Sequence, residues 1–391
     1  MNIRPQAPSL AELRTRTSAK WRIYPDDVLP LFIAEMDYSL APVVADAMID
    51  RIRASDLGYA DAPGEVGEAF AGFASRRWGW AVDPADVHLT TDVSVVLVEA
   101  LRVAIQPGDP VIITPPVYPP FFEIVPEAGG VRVEVPLVGD TADGWALDFD
   151  GIEQAMRNGA RAMILCHPHN PLGLPHPATD LRRLADLAAT YDAVIISDEI
   201  HAPLTHSPRD FVPFLAASDT AAEVGIAAHS ASKAFNLAGA KCALTVVASD
   251  RMRALIDRQP EEVAYRTSIL GRAATLAAFT DGDDWLDGCV EVIGENLDLL
   301  ENLVAEHLLG VTFRRPAASY LVWLDFRATD LGDDPGAPIL ERGRVALHNG
   351  PAFGTQGRGF ARLNVACSPE VLTEAVGRIA SVLTAYGTVE S

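Results

Sequence analysis

The chain has 391 residues, 49% of them hydrophobic and 21% charged. That is enough apolar material for a full core and more than one domain, which excludes disordered, collagen-like and coiled-coil classes. Thirty-one Lys and Arg against 53 Asp and Glu leave a net charge of −22, so phosphodiester backbones and anionic membranes are repelled and nucleic acid is excluded as a partner.

The first 40 or so residues read as irregular and rich in Pro and Trp, with no apolar leader after Met1. From Ala41 onward, helical patterns alternate with short apolar runs. Residues 95–105 read as a helix and 110–113 as a strand; 161–166 read as another strand. A helix over 180–191 carries Leu181, Leu184 and Leu187 on one face, with Thr179 as its N-cap. Residues 193–196 form a buried strand ending at Ser197-Asp198, and strands follow at 225–229 and 243–247. A long helical pattern over 284–309 connects to strands at 322–326 and 361–365. Ser368-Pro369 then opens a final amphipathic helix.

Buried apolar strands separated by helices predict an α/β fold: a large doubly wound, mostly parallel sheet domain with a smaller α+β domain. The expected boundaries are 41–283 for the large domain and 1–40 plus 284–391 for the small one. Four separated cysteines without a C-x-x-C pair, and no apolar run of about 18 residues, predict a cytoplasmic protein with no disulfide and no membrane span.

Ligands of such sheets bind beyond the carboxyl ends of the strands. Four polar clusters stand there: Thr90 to Ser94, His167 to Gly173, Ser197 to His201 and Ser230 to Lys233. A lysine amine that sheds its proton can condense with an aldehyde, and Lys233 follows two serines at a strand end. Asp198 ends an apolar strand and needs a cationic or N–H partner. Ser94, Ser230 and Ser232 lie near helix starts, where backbone N–H groups collect anions such as phosphate. Each also has an ordinary reading: Lys233 as a surface lysine, Asp198 and the serines as caps, Asn170 as a turn former. His167 and His169 lack a third ligand nearby, so no metal is predicted. Cys166 and Cys242 read as inert thiols in apolar strands. Gly354 to Gly359 does not follow a strand into a helix and is no dinucleotide fingerprint.

Taken in order, four motifs resemble those of the fold-type I pyridoxal-phosphate enzymes of the aminotransferase class I/II superfamily. They are NPLG at 170–173, SDEIH at 197–201, SASKAFNLAG at 230–239 and RLNVA at 362–366. Within it, KW at 20–21, LPLFIAEMDY at 29–38 and PPVYPPFF at 115–122 are similar to the cystathionine β-lyase branch of C–S lyases.

The resemblance implies pyridoxal 5′-phosphate as cofactor and an amino acid as substrate. It implies that Lys233 binds the cofactor aldehyde covalently and moves the Cα proton. Asp198 would face the pyridinium nitrogen and Tyr118 would stack on the ring, completing the catalytic set. Asn170 would bond the ring 3-oxygen, and His201 stands where many relatives carry a tyrosine sharing that contact. Val93, Ser94, Ser230 and Ser232 would hold the phosphate, with Lys241 in place of a usual arginine. Tyr59 would reach the phosphate of a second subunit, which implies a homodimer with shared sites. Arg362 would clamp the substrate α-carboxylate beside Ala34. Asp92 departs from the glycine common in the phosphate turn, and Phe32 and Glu35 replace a usual Trp and Asp. The implied reaction releases a thiol, pyruvate and ammonia from an S-substituted L-cysteine. An aminotransferase, or a cofactor-bearing regulator, is the alternative.

Overall fold

Seven strands form the main sheet of the computed structural model, which describes residues 3–59, 64–207 and 211–387. They are β1 Val87–Thr90, β2 Pro110–Ile113, β3 Val131–Glu134, β4 Ala162–Cys166, β5 Val194–Asp198, β6 Gly225–His229 and β7 Ala243–Val246. Their spatial order is β1-β7-β6-β5-β4-β2-β3. Only β7 runs antiparallel to its neighbours; the other pairs are parallel. Every residue of β4, β5 and β6 is buried, because helices cover both faces. That is why these strands read as unbroken apolar runs rather than alternating ones.

The helices that position the site are α1 Pro42–Arg53, α2 Glu65–Trp78, α3 Val93–Ala104, α4 Ala178–Thr190, α5 Ile269–Asp281, α6 Asp283–His307 and α7 Pro369–Gly387. On one face, Val96, Leu97 and Leu101 of α3 pack with Ile113, Ile164 and Ile196 of the strands. On the other face, Leu181 and Leu184 of α4 pack with Met163 and Ile195. A second, antiparallel sheet has the order β8-β10-β9, from β8 Leu321–Asp325, β9 His348–Asn349 and β10 Phe360–Asn364. The 25-residue α6 packs against α7 beside it. Ser368 accepts from Val371 N–H at 3.3 Å and so caps α7. The expected α/β architecture is therefore present.

Some local expectations fail. The fourth helix starts at Ala178, so Thr179 lies inside its first turn and donates to Asp180 at 3.4 Å instead of capping. Helix α3 begins at Val93, two residues earlier than its apolar pattern indicates. The N-terminal stretch holds two short helices, Leu10–Leu13 and Ala19–Arg22. Leu29–Pro30 then pairs with Val345–Ala346.

Residues 32–36 form a strap between the two sheets, and each of its carbonyls is held by a side chain. Phe32 O accepts from Arg362 at 2.9 Å and Ala34 O from Lys233 at 3.0 Å. Asn364 Nδ2 donates to Ile33 O and Glu35 O at 2.8 Å each. Asn236 Nδ2 donates to Met36 O at 2.9 Å. Lys20 reaches Glu35 O at 3.0 Å and forms a fully buried pair with Asp37 at 2.7 Å. Backbone groups in an irregular segment need such partners when water is excluded. No helix among the described residues is long and apolar enough to cross a membrane.

Candidate active site

A cavity of about 490 Å³ opens at the carboxyl ends of β4, β5 and β6. Tyr118, Asn170, Asp198, His201, Ser232, Lys233 and Arg362 line it, with Ala34 and Phe32 of the strap and Val93 and Ser94 of α3.

Lys233 lies four residues past the end of β6, in the turn that leads away from the sheet. Burial and the nearby positive charge of Arg362 push its amine down to about 8. A lysine so placed has a readily accessible neutral form, which a nucleophile or base requires. Asp198 is the last residue of β5. Burial raises its carboxyl to about 6, against the Ile200 N–H, which donates at 3.2 Å, and the charge of Lys233. The carboxylate accepts one backbone N–H, as a cap would, and still faces the cavity.

Strand alternation sends the next residue, Glu199, to the other side. There it accepts from Ser197 Oγ at 2.9 Å and Phe214 N at 2.8 Å, and lies 3.3 Å from His229. Burial raises Glu199 to about 8. Trp78 and Trp80 pack around His229, so their role is packing.

Arg362 stands in the middle of β10, 2% exposed. Nη1 donates to Asn170 Oδ1 at 2.9 Å, while Nη2 donates to Phe32 O at 2.9 Å and His348 Nδ1 at 3.0 Å. Its Nε is buried without a partner. Burial lowers the guanidinium to about 10. His201 is buried, and its Nδ1 also lacks a partner. Burial, then the charges of Lys233 and Arg362, push it down to about 3, so its ring is neutral. Burial, then Asp198, raise the Tyr118 phenol above its ordinary range.

Three of the predicted residues do not line the cavity. The Ser230 hydroxyl donates to Cys242 O at 2.7 Å and accepts from Ser232 N at 3.0 Å, which turns it into the protein. Lys241 pairs with Asp92, which does line the cavity. Tyr59 is 92% exposed. Two residues were missed. Cys166 lines the cavity, its Sγ accepting from Asn170 N at 3.3 Å, while burial pushes the thiol well up, in keeping with an inert strand thiol. His348 also lines it, directly opposite Arg362 in the β9–β10 register. No motif marks His348; only the pairing of two strands reveals it.

His167, His169 and His176 are spent on structure: their Nε2 atoms face the carbonyls of Val212, Pro116 and Cys166 at 3.0, 2.8 and 3.2 Å. Among the described residues, no cluster of three or more His, Cys, Asp or Glu could hold a metal.

Pyridoxal phosphate fits this donor set. Asp92 occupies the N-cap of α3 without a capping bond, so no Asp92 bond satisfies the first-turn N–H groups beside Val93 and Ser94, a setting for phosphate. The aldehyde meets an amine inclined to neutrality, the ring nitrogen a carboxylate, and the buried His201 Nδ1 and Arg362 Nε await polar partners.

A family model described as aminotransferase class I and II matches residues 26–379. A Mycobacterium leprae protein, provisionally named cystathionine β-lyase, is 40% identical over 393 residues, covering 96% of this chain and 97% of that one. The cystathionine β-lyase of Corynebacterium glutamicum is 36% identical over 379 residues, covering 96% and 99%. A Corynebacterium diphtheriae structure, provisionally described as a PLP-dependent β-cystathionase, superposes with a TM-score of 0.90 at 34% identity, over 97% of this chain and 99% of that one.

Proposed function

The chain belongs to the aminotransferase class I and II family, and on that premise we propose that it is a pyridoxal-phosphate-dependent C–S β-lyase. Its substrate is an S-substituted L-cysteine such as cystathionine, and its products are a thiol, pyruvate and ammonia. The observation that carries this reading is the convergence on one cavity of a lysine pushed down to about 8, a buried carboxylate and a buried arginine.

When bound, pyridoxal phosphate supplies an aldehyde for the substrate amine and a ring that withdraws electrons from Cα. The residues supply the rest. Arg362 takes the α-carboxylate and fixes which bond at Cα is labile, with Ala34 of the strap alongside. Lys233 Nζ removes the Cα proton, and its neutral form is accessible because burial disfavours the ammonium. Asp198, at the end of β5, would face the ring nitrogen and favour its protonated form, which lowers the energy of negative charge at Cα. Asn170 orients Arg362 and, with His201 and Tyr118, would bound the ring. Ser232, Val93 and Ser94, which line the cavity, would hold the phosphate. With the Cα proton gone, the Cβ–S bond breaks, the sulfur leaves with the electron pair, and water completes the release of pyruvate and ammonia.

The same proposal includes a large domain over 41–283 and a small one over 1–40 plus 284–391, with the cavity between them. It also includes a homodimer in the cytoplasm. Ile52 near the end of α1 and Leu57 and Tyr59 just after it are each exposed, apolar surface suited to a second copy, whose phosphate site Tyr59 would reach. Four buried free cysteines suit a reducing compartment.

The test is pyruvate release from cystathionine and a panel of cysteine thioethers, with no 2-oxo acid added. Turnover without an acceptor supports the lyase. Turnover only with an acceptor makes the protein an aminotransferase.

A further inference from the structure

Lys241 Nζ lies 3.0 and 3.2 Å from the two carboxylate oxygens of Asp92. Asp92 lines the cavity beside Val93 and Ser94, and both members of the pair are partly open to solvent. An aspartate at an N-cap ordinarily accepts from an N–H two or three residues on. Asp92 holds that position on the twelve-residue α3 and makes no such bond. Its carboxylate is turned to Lys241 instead. Two things follow. No Asp92 bond competes for the first-turn N–H groups, so they can receive an anion. The charge of Lys241 beside them is matched by a carboxylate, so the pair offers an incoming dianion little net attraction.

We propose that Asp92 is a counter-charge on the phosphate cradle: it occupies Lys241 in the free protein and competes with the cofactor phosphate for it. The phosphate is then held chiefly by backbone N–H groups, and the cofactor binds less tightly than Lys241 alone would permit. This rests on the reading of the cavity as a pyridoxal-phosphate site. It also gives the departure at position 92 a physical role. The carboxylate is tolerable near a phosphate because an ammonium stands against it, and the cost falls on affinity rather than on folding.

The experiment is spectroscopic titration of cofactor-stripped protein with pyridoxal phosphate and, separately, with pyridoxal, which lacks the phosphate. Removing one partly screened negative charge at this range should tighten pyridoxal phosphate about tenfold in Asp92→Ala and Asp92→Gly, neither of which can cap the first-turn N–H groups with a side chain. Pyridoxal affinity should not change, and the gain should vanish when Lys241→Gln is added. Unchanged or weaker phosphate-ester binding in the Asp92 variants overturns the proposal, as does an equal gain for pyridoxal, and either result leaves the cavity assignment standing. Failure of the wild-type protein to bind pyridoxal phosphate overturns both.

Discussion

Arg362 Nη1 donates to Asn170 Oδ1 across 2.9 Å, which ties the middle strand of the small sheet to the loop after β4 in the large one. Phe32 O and His348 Nδ1 take both hydrogens of Nη2, so the guanidinium is oriented from three sides. Either fork of an arginine that grips a carboxylate includes an Nη2 hydrogen. A bidentate carboxylate must therefore displace Phe32 O or His348.

Arg362→Lys keeps a charge and loses the fork. A point-charge ammonium cannot reproduce two parallel bonds. Steady-state kinetics should show kcat/KM falling about a hundredfold, mostly through KM, since the lost bonds are worth about 3 kcal/mol. A change confined to kcat would mean that the α-carboxylate binds elsewhere.

His348 competes with substrate for Nη2. His348→Ala removes the competitor, and KM for the amino acid should fall by a factor of about 2–5, on the scale of one modest hydrogen bond. His348→Asn can keep an acceptor near the Nδ1 position and should leave KM near the wild-type value. A rise in KM for both variants would show that the imidazole binds substrate directly.

Lys233 should be the covalent anchor. Borohydride treatment of the loaded protein should add the reduced cofactor to the peptide containing Lys233, seen by mass spectrometry. Lys233→Ala should lose that adduct and at least about a hundredfold in turnover, the scale of a missing general base. An adduct that persists in Lys233→Ala would assign the aldehyde to another amine.

Burial holds a group of imidazoles neutral, among them His167 and His169, pushed down to about 4, and His201, His229 and His348, pushed down to about 3. Unfolding returns them to an ordinary value near 6.5, so near pH 5 the unfolded chain binds protons that the folded chain refuses. Asp198 and Glu199 oppose this, because at pH 5 their folded carboxyls, at about 6 and 8, hold protons that the unfolded chain releases. His176, held well below its ordinary value by burial, adds to the imidazole side, so the histidines outweigh the two carboxyls and unfolding takes up protons. Stability of the cofactor-free protein should thus decline as pH drops from about 6.5 toward 4.5, visible as a falling urea midpoint. A midpoint that rises over that interval would contradict the neutral imidazoles.

The large sheet was legible because its central strands are buried on both faces and end in polar residues. Asp198 stands at such an end and Asn170 and Lys233 just past one, so strand position marks them as candidates, and the family motifs then give them their roles. Arg362 was legible only through the RLNVA likeness, since an arginine inside a strand otherwise reads as misplaced. The partner of Lys241 was not legible: Asp92 is 149 residues away and meets it only when β1 and β7 pair. His348 needed the register that sets it opposite Arg362. Ser230 was assigned to the phosphate from its place in a motif, but its hydroxyl is spent on the carbonyl of Cys242, just ahead of β7. Local pattern reports which way a backbone runs. It does not report which hydroxyl a neighbouring strand has already claimed.

The strap at residues 32–36 is synthesised some 330 residues before its side-chain donors Arg362 and Asn364. A nascent chain arrested before residue 362 leaves Phe32 O without its guanidinium and Ile33 O and Glu35 O without the Asn364 amide. Ribosomal order and spatial order are thus opposed in this protein. Truncation ahead of residue 362 would unfasten residues 32–36, and the vessel for the cofactor would lose a wall encoded some 330 codons upstream.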